Sequence, residues 1–254
     1  TAQAGRAQDA RTHRYLETEG GRWRGFVPIG DDNPLQHIRF QYVTTALIAT
    51  NVLVFLLQLV AMGSPEVLGS FAVVPGELLT AGTSLVPHAR DAVPVPERLT
   101  LLTYMFLHGD WIHLIGNMLF LWVFGDNVED AMGHARFLVF YIACGVFAGL
   151  THALMMPDSP DALIGASGAV SGVVSAYLIL HPRVRVWVLA LKFIPLRISA
   201  ALALGLWIVF QVIMLFMPQV PGAATAWWAH IGGLVAGAVL IPLMKDRRVP
   251  LFGR

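Results

Sequence analysis

Hydrophobic positions in this chain run in long blocks separated by short polar or basic intervals. Six blocks, at 44–62, 111–127, 135–156, 167–182, 199–217 and 227–244, are long and apolar enough to predict membrane helices. The fourth opens at Ser167 and falls short of the ~20 apolar residues a full span needs. It predicts a helix that starts below the membrane surface, at the floor of an indentation. Between the first two blocks, residues 63–110 mix apolar positions with Pro65, Pro75, Pro87, Pro94 and Pro96. Proline removes backbone donors and breaks helices, so this segment is expected to lie at the interface rather than to span. The pattern predicts an all-α polytopic membrane protein with six transmembrane helices. It divides the chain into a polar tail (1–40), a helical domain (41–245) and a short basic tail (246–254).

Composition agrees with the pattern. Hydrophobic residues make up 56 % of the 254 positions and charged ones only 13 %. A soluble domain carries about 25 % charge, so this chain calls for a lipid bilayer as solvent. The net charge of +1 offers nothing to a nucleic acid. The distribution of cations is more informative. With both termini on one side, that side receives Arg39, Arg136, Arg183, Arg185, Lys192, Arg197, Lys245, Arg247 and Arg248, and the other only Arg90 and Arg98. By the positive-inside rule the termini are cytoplasmic. The first forty residues hold six arginines and no apolar run, which predicts a tail rather than a cleavable signal. The single cysteine, Cys144, excludes an internal disulfide and reads as a small buried hydrophobe.

Polar residues inside apolar blocks are costly in lipid and mark candidate sites. Counting at about 1.5 Å per residue from the charged end of each block places Ser167 roughly 24 Å above Arg183, and His230 roughly 22 Å above Lys245. His113 falls roughly 24 Å above Glu129, with Asn117 a turn deeper. All four therefore lie at one level, in the half of the ~30 Å hydrocarbon layer away from the cationic side. A serine hydroxyl becomes a nucleophile when an imidazole takes its proton, and His230 is the candidate base. His113 and Asn117, four residues apart on one helical face, can donate hydrogen bonds to an oxyanion, as can the backbone N–H of Ser167 where its helix opens. Gly168/Gly172 and Gly233/Gly237 are small-xxx-small pairs that let two helices approach closely. His230 shares a face with the second pair.

These residues resemble the rhomboid family of intramembrane serine proteases. Gly165-Ala166-Ser167-Gly168 is similar to the family's GxSG motif, and Ala229-His230 with Gly233 and Gly237 to its AHxxGxxxG. His108, His113 and Asn117 match HxxxxHxxxN, and Glu129 with Gly133 matches ExxxG. The resemblance covers roughly 40–245. It implies a rhomboid-like six-helix bundle with an interfacial first loop and a Ser167–His230 dyad. It also implies an oxyanion site from His113, Asn117 and the Ser167 backbone, and no cofactor. Residues 218–226 would cap the site and the 199–217 helix would flank substrate entry. Substrates would be transmembrane helices of other proteins, cut near the outer face. A compact six-helix plan suits a bacterial inner membrane. Two positions depart from the family pattern. Leu99-Thr100 stands where a Trp-Arg pair is common, and Ser171 where a tyrosine stacks on the catalytic histidine, so the imidazole has to be held another way.

Two other readings stay open: a rhomboid-like protein that binds membrane helices without cutting them, and a transporter using the histidines as a proton path. The first would be marked by loss of Ser167 or His230. The second predicts charged residues at mid-membrane and paired broken helices, which the sequence does not display. A zinc site from His108, His113 and His230 is disfavoured, because histidines five apart share a helix face poorly and no carboxylate lies at their depth. Glu129 and Arg136 are expected to tie the inner ends of the second and third helices. Trp207, Phe210 and Met214 are expected to face lipid, and Trp227 and Trp228 to join an interfacial aromatic belt.

Overall fold

The computed structural model describes residues 27–61, 65–80, 92–190, 194–217 and 226–253. Most of them are helical. Helix α1 spans Tyr42–Ala61, and three short helices follow, α2 (Pro65–Gly69), α3 (Pro75–Thr80) and α4 (Glu97–Thr103), the last running into a 3-10 turn at Tyr104–Phe106. The bundle is completed by α5 (Trp111–Met132), α6 (His134–Met155), α7 (Ser167–Leu180), α8 (Ala200–Leu215) and α9 (Trp227–Met244). Among the described residues, three helices are long and apolar enough to cross a membrane: Tyr42–Val60, His134–Met155 and Trp227–Met244. Ser167–Leu180 and Ala200–Leu215 are shorter apolar helices. Helix α5 is 22 residues long, but Asp126, Glu129 and Asp130 gather at its end. The segment expected at the interface holds only short helices, with 62–64 and 81–91 outside the described residues.

Helix α7 sits at the centre. From Gly168 to Tyr177 every residue is buried, against α5, α6 and α9. Its glycines set the spacing. A Cβ on Gly168 would lie 2.6 Å from the Cβ of Ala148, and one on Gly172 2.5 Å from the Sγ of Cys144. On α9, Gly233 and Gly237 lie directly against the backbone carbonyls of Gly168 and Gly172, which leaves no room for a side chain at either. Both small-xxx-small pairs therefore face each other across one seam. Cys144 is buried within it.

The all-α expectation fails at one end of the bundle. Strands β1 (Val27–Asp31), β2 (Arg185–Ala190) and β3 (Ile194–Ser199) form an antiparallel sheet in the order β1-β2-β3. Its register pairs Val27 with Leu189 and Arg185 with Ser199. In β2, Val186 and Val188 are buried while Arg185 and Trp187 are exposed, the two-residue period of a sheet with one covered face. β3 leads straight into α8, where the Ser199 hydroxyl accepts from the N–H of Leu202.

Both expected tails are folded where they are described. Asn33 is buried and exchanges hydrogen bonds with Asn127, and the Asp130 carboxylate accepts from the N–H groups of Gln36, His37 and Ile38 at 2.6–3.0 Å. At the other terminus, Asp246 donates to the carbonyl of Ala131, Phe252 to Ile179 and Gly253 to Leu180. Residues 1–26 lie outside the described part. Glu129 ties the end of α5 to the start of α6 through His134, as expected, and also reaches α1. Its buried carboxylate accepts from the N–H of Val43 (3.0 Å), the N–H and hydroxyl of Thr44 (2.8 and 2.7 Å) and Nδ1 of His134 (2.5 Å). It therefore caps the N-terminus of α1, where unpaired N–H groups and the helix dipole favour an anion. Arg136 is exposed, so the helix start, not the arginine, provides the partner.

Candidate active site

The site lies at the opposite end from the sheet, where α5, α7 and α9 begin. Ser167 is the first residue of α7 and is half-buried. The chain reaches it through Gly165, whose φ of +117° is strained for any residue with a Cβ. The Gly165 N–H donates to the carbonyl of Tyr104 at 2.9 Å, which ties this turn to the 3-10 segment. His230 lies in the first turn of α9 and is buried at 8 % exposure. Its Nε2 is 2.8 Å from the Ser167 Oγ. The close α7–α9 seam below makes this reach possible.

His113 and Asn117 approach the same turn from α5. Asp110 caps that helix, accepting from the His113 N–H at 2.7 Å. The Gly109 N–H makes a long, 3.5 Å contact with His113 Nδ1, consistent with the tautomer that carries its proton on Nε2. A Cβ on Gly165 would stand 2.7 Å from that Nε2 and 3.8 Å from the Asn117 Nδ2. Glycine at 165 thus clears space for both donors beside the turn that carries Ser167. The Asn117 Nδ2 is buried and has no hydrogen-bond partner among the described residues. A fully desolvated donor without a partner is costly and invites a ligand or a developing charge. The Ser167 N–H, at the start of a helix, is the third donor available there.

His108 stands apart from this group. It is buried at 1 % exposure, edge-on to His113 with ring centroids 5.1 Å apart, and both its backbone groups are held by Gln58. Among the described residues no cluster of three or more His, Cys, Asp or Glu could hold a metal ion.

The sequence expects the imidazole to be held by a group other than residue 171. The Ser171 hydroxyl donates to the carbonyl of Ser167 at 2.7 Å. The ring is held instead by Gln211 of α8, whose Oε1 lies 2.7 Å from Nδ1. It is flanked by Trp227, edge-on at 5.8 Å, and by Trp207, tilted at 6.5 Å. Trp207 also packs on Phe120, so it faces the bundle, whereas Phe210 is exposed as expected. A lone amide in an otherwise apolar helix was the available signal for Gln211. The segment expected to cap the site lies, up to residue 225, outside the described residues.

Comparison with known proteins points one way. Residues 96–247 match the rhomboid domain. The chain is 30 % identical over 151 residues to RHOMBOID-like protein 5 of Arabidopsis thaliana, covering 59 % of this chain and 45 % of that protein. It is 30 % identical over 213 residues to rhomboid protease GluP of Bacillus subtilis, covering 83 % of this chain and 36 % of that protein. It is also 32 % identical over 90 residues to inactive rhomboid protein 1 of Drosophila melanogaster, covering 35 % of this chain and 6 % of that protein. The chain thus spans about half the length of the curated relatives it matches, or less. With the rhomboid domain covering more than half of its residues, this membrane protein belongs to the rhomboid family.

Proposed function

We propose that the chain is an intramembrane serine endopeptidase that cuts transmembrane segments of other membrane proteins through a Ser167–His230 dyad. The observation that carries this is the 2.8 Å approach of His230 Nε2 to Ser167 Oγ beside an Asn117 Nδ2 that has no partner among the described residues. In the reaction, Nε2 accepts the hydroxyl proton as Oγ bonds to the scissile carbonyl carbon. The oxygen of that carbonyl becomes an oxyanion, for which Asn117 Nδ2, His113 Nε2 and the Ser167 N–H are the donors. Collapse breaks the C–N bond, and the departing amine takes the proton from His230. Water, with His230 again as base, then hydrolyses the acyl-enzyme. No cofactor is required.

The same reading takes blocks 44–62, 111–127, 135–156, 167–182, 199–217 and 227–244 as six membrane passes within a 41–245 protease domain. Cation distribution supports cytoplasmic termini and a site opening to the outer face, and the compact six-helix plan suits a bacterial inner membrane. Similarity to an inactive relative supports a second reading, a membrane-helix-binding protein without catalysis. Retention of both dyad residues favours the protease.

The test is purified protein in detergent, offered a fluorophosphonate probe and a single-span substrate with a helix-destabilising segment near its outer end. The parent is expected to label and cut, while Ser167→Ala and His230→Ala do neither. A folded parent that neither labels nor cuts would overturn the proposal in favour of the binding protein.

A further inference from the structure

Helix α8 reads AALALGLWIVFQVIML, and Gln211 is its one side chain with strong hydrogen-bonding groups. Leu202, Leu206, Val209, Phe210, Val212 and Ile213 are all exposed, as suits a helix bathed in lipid, yet Gln211 is buried at 3 % exposure. An amide in apolar surroundings is costly unless it finds a partner. Its partner is the nitrogen of His230 that faces away from Ser167.

The geometry points to Gln211 as the positioning residue of the general base, extending the dyad to a Ser167–His230–Gln211 array; this rests on the dyad reading above. An amide oxygen can only accept, so Oε1 at 2.7 Å requires the proton on Nδ1. The neutral imidazole then presents a bare Nε2 to the Ser167 hydroxyl, the tautomer that a general base needs. The same bond fixes the ring's rotation, a task that Ser171, tied to its own helix, does not perform. When His230 takes the proton, Oε1 still accepts from the imidazolium. Because the amide is neutral, the site avoids burying a carboxylate in lipid-facing surroundings. Gln211 touches no reacting atom. It acts through His230.

Four proteins test this: the parent, Ser167→Ala, Gln211→Met and Gln211→Glu, compared in detergent for melting temperature, kcat, KM and labelling rate against pH. Methionine keeps the length of the side chain without an acceptor. It is expected to lower kcat about ten- to a hundredfold, the cost of one buried hydrogen bond, with KM and melting temperature near the parent's. Glutamate restores an acceptor of the same reach and is expected to restore much of kcat. Its charge favours the imidazolium, so the acid limb of the pH profile should move to higher pH. The other titratable groups facing this ring are His113 on α5 and His152 on α6, unchanged in every variant. If the parent labels but Gln211→Met matches it in kcat and pH profile, the positioning role is overturned while the dyad stands. Should Gln211→Met fail to fold, Gln211→Glu decides, and an unmoved acid limb overturns the role. A folded parent that does not label removes both readings together.

Discussion

Asn117 carries the sharpest consequence at the scale of one side chain. Its Nδ2 is buried with no partner among the described residues, and a buried donor left unpaired is costly. A donor of this kind strengthens only when charge develops next to it. Asn117→Ala is therefore expected to lower kcat by about 10²–10³ with little change in KM, the pattern of an interaction made only in the transition state. Steady-state kinetics on the single-span substrate measures this, and an unchanged kcat would remove Asn117 from the oxyanion site. The proximity of Ser167, His230, His113 and Asn117 was legible because polar residues in apolar blocks can be placed by depth. Gln211 satisfied the same criterion but matched no motif. Its partner depends on the rotation of α8, which counting along a sequence does not provide. Glu129 was legible as structural, yet its partner, the start of α1, lies some 85 residues away and announces itself by no charge.

At the scale of elements, the seam between α7 and α9 sets the distance between the dyad residues. Gly233 lies one turn below His230 and directly against the Gly168 carbonyl. Gly233→Ala places a methyl where that carbonyl stands, so α9 must retreat and carry His230 with it. Overpacking of this kind costs about 1–3 kcal/mol. A lower melting temperature and at least a tenfold (~1.4 kcal/mol) loss of labelling rate are expected. Gly205 on α8 is the control, since a Cβ there meets nothing within 4 Å. Alanine is the better helix former by up to ~1 kcal/mol, so Gly205→Ala should melt no lower than the parent and keep its activity. Equal effects at the two positions would mean that close packing is not what spaces the dyad. The seam could be read from small residues at four-residue spacing. The sheet could not, although Arg183-Val184-Arg185-Val186-Trp187-Val188 alternates cleanly. Its first strand is supplied from about 160 residues away, and one alternating run does not identify its partner.

For the whole molecule, the two ends divide the work. The site end carries the Ser167–His230 pair and the buried Asn117 amide, while the sheet end is closed by a network that ties residues 31–38 and 246–253 to α5 and α7. Asp31 belongs to that network, accepting from the Tyr177 hydroxyl of α7. Burial pushes its carboxyl up to about 6, outweighing the opposing effect of the Tyr177 hydrogen bond. A carboxyl raised above its ordinary 3.8 holds its proton more tightly folded than unfolded. The stability it contributes is complete below pH ~4 and is lost as pH rises through ~6. Asp31→Asn keeps an oxygen for Tyr177 and removes the charge. The variant is expected to melt at about the parent's temperature near pH 4 and several degrees above it at pH 7.5. Tryptophan-fluorescence melting across that range measures the effect, together with the relief that loss of the Asp31 charge brings to the neighbouring Asp126 carboxyl. A constant gap between the two curves would mean that Asp31 titrates normally. The sheet end would then draw its stability from packing and backbone pairing rather than from a proton held between strand and helix.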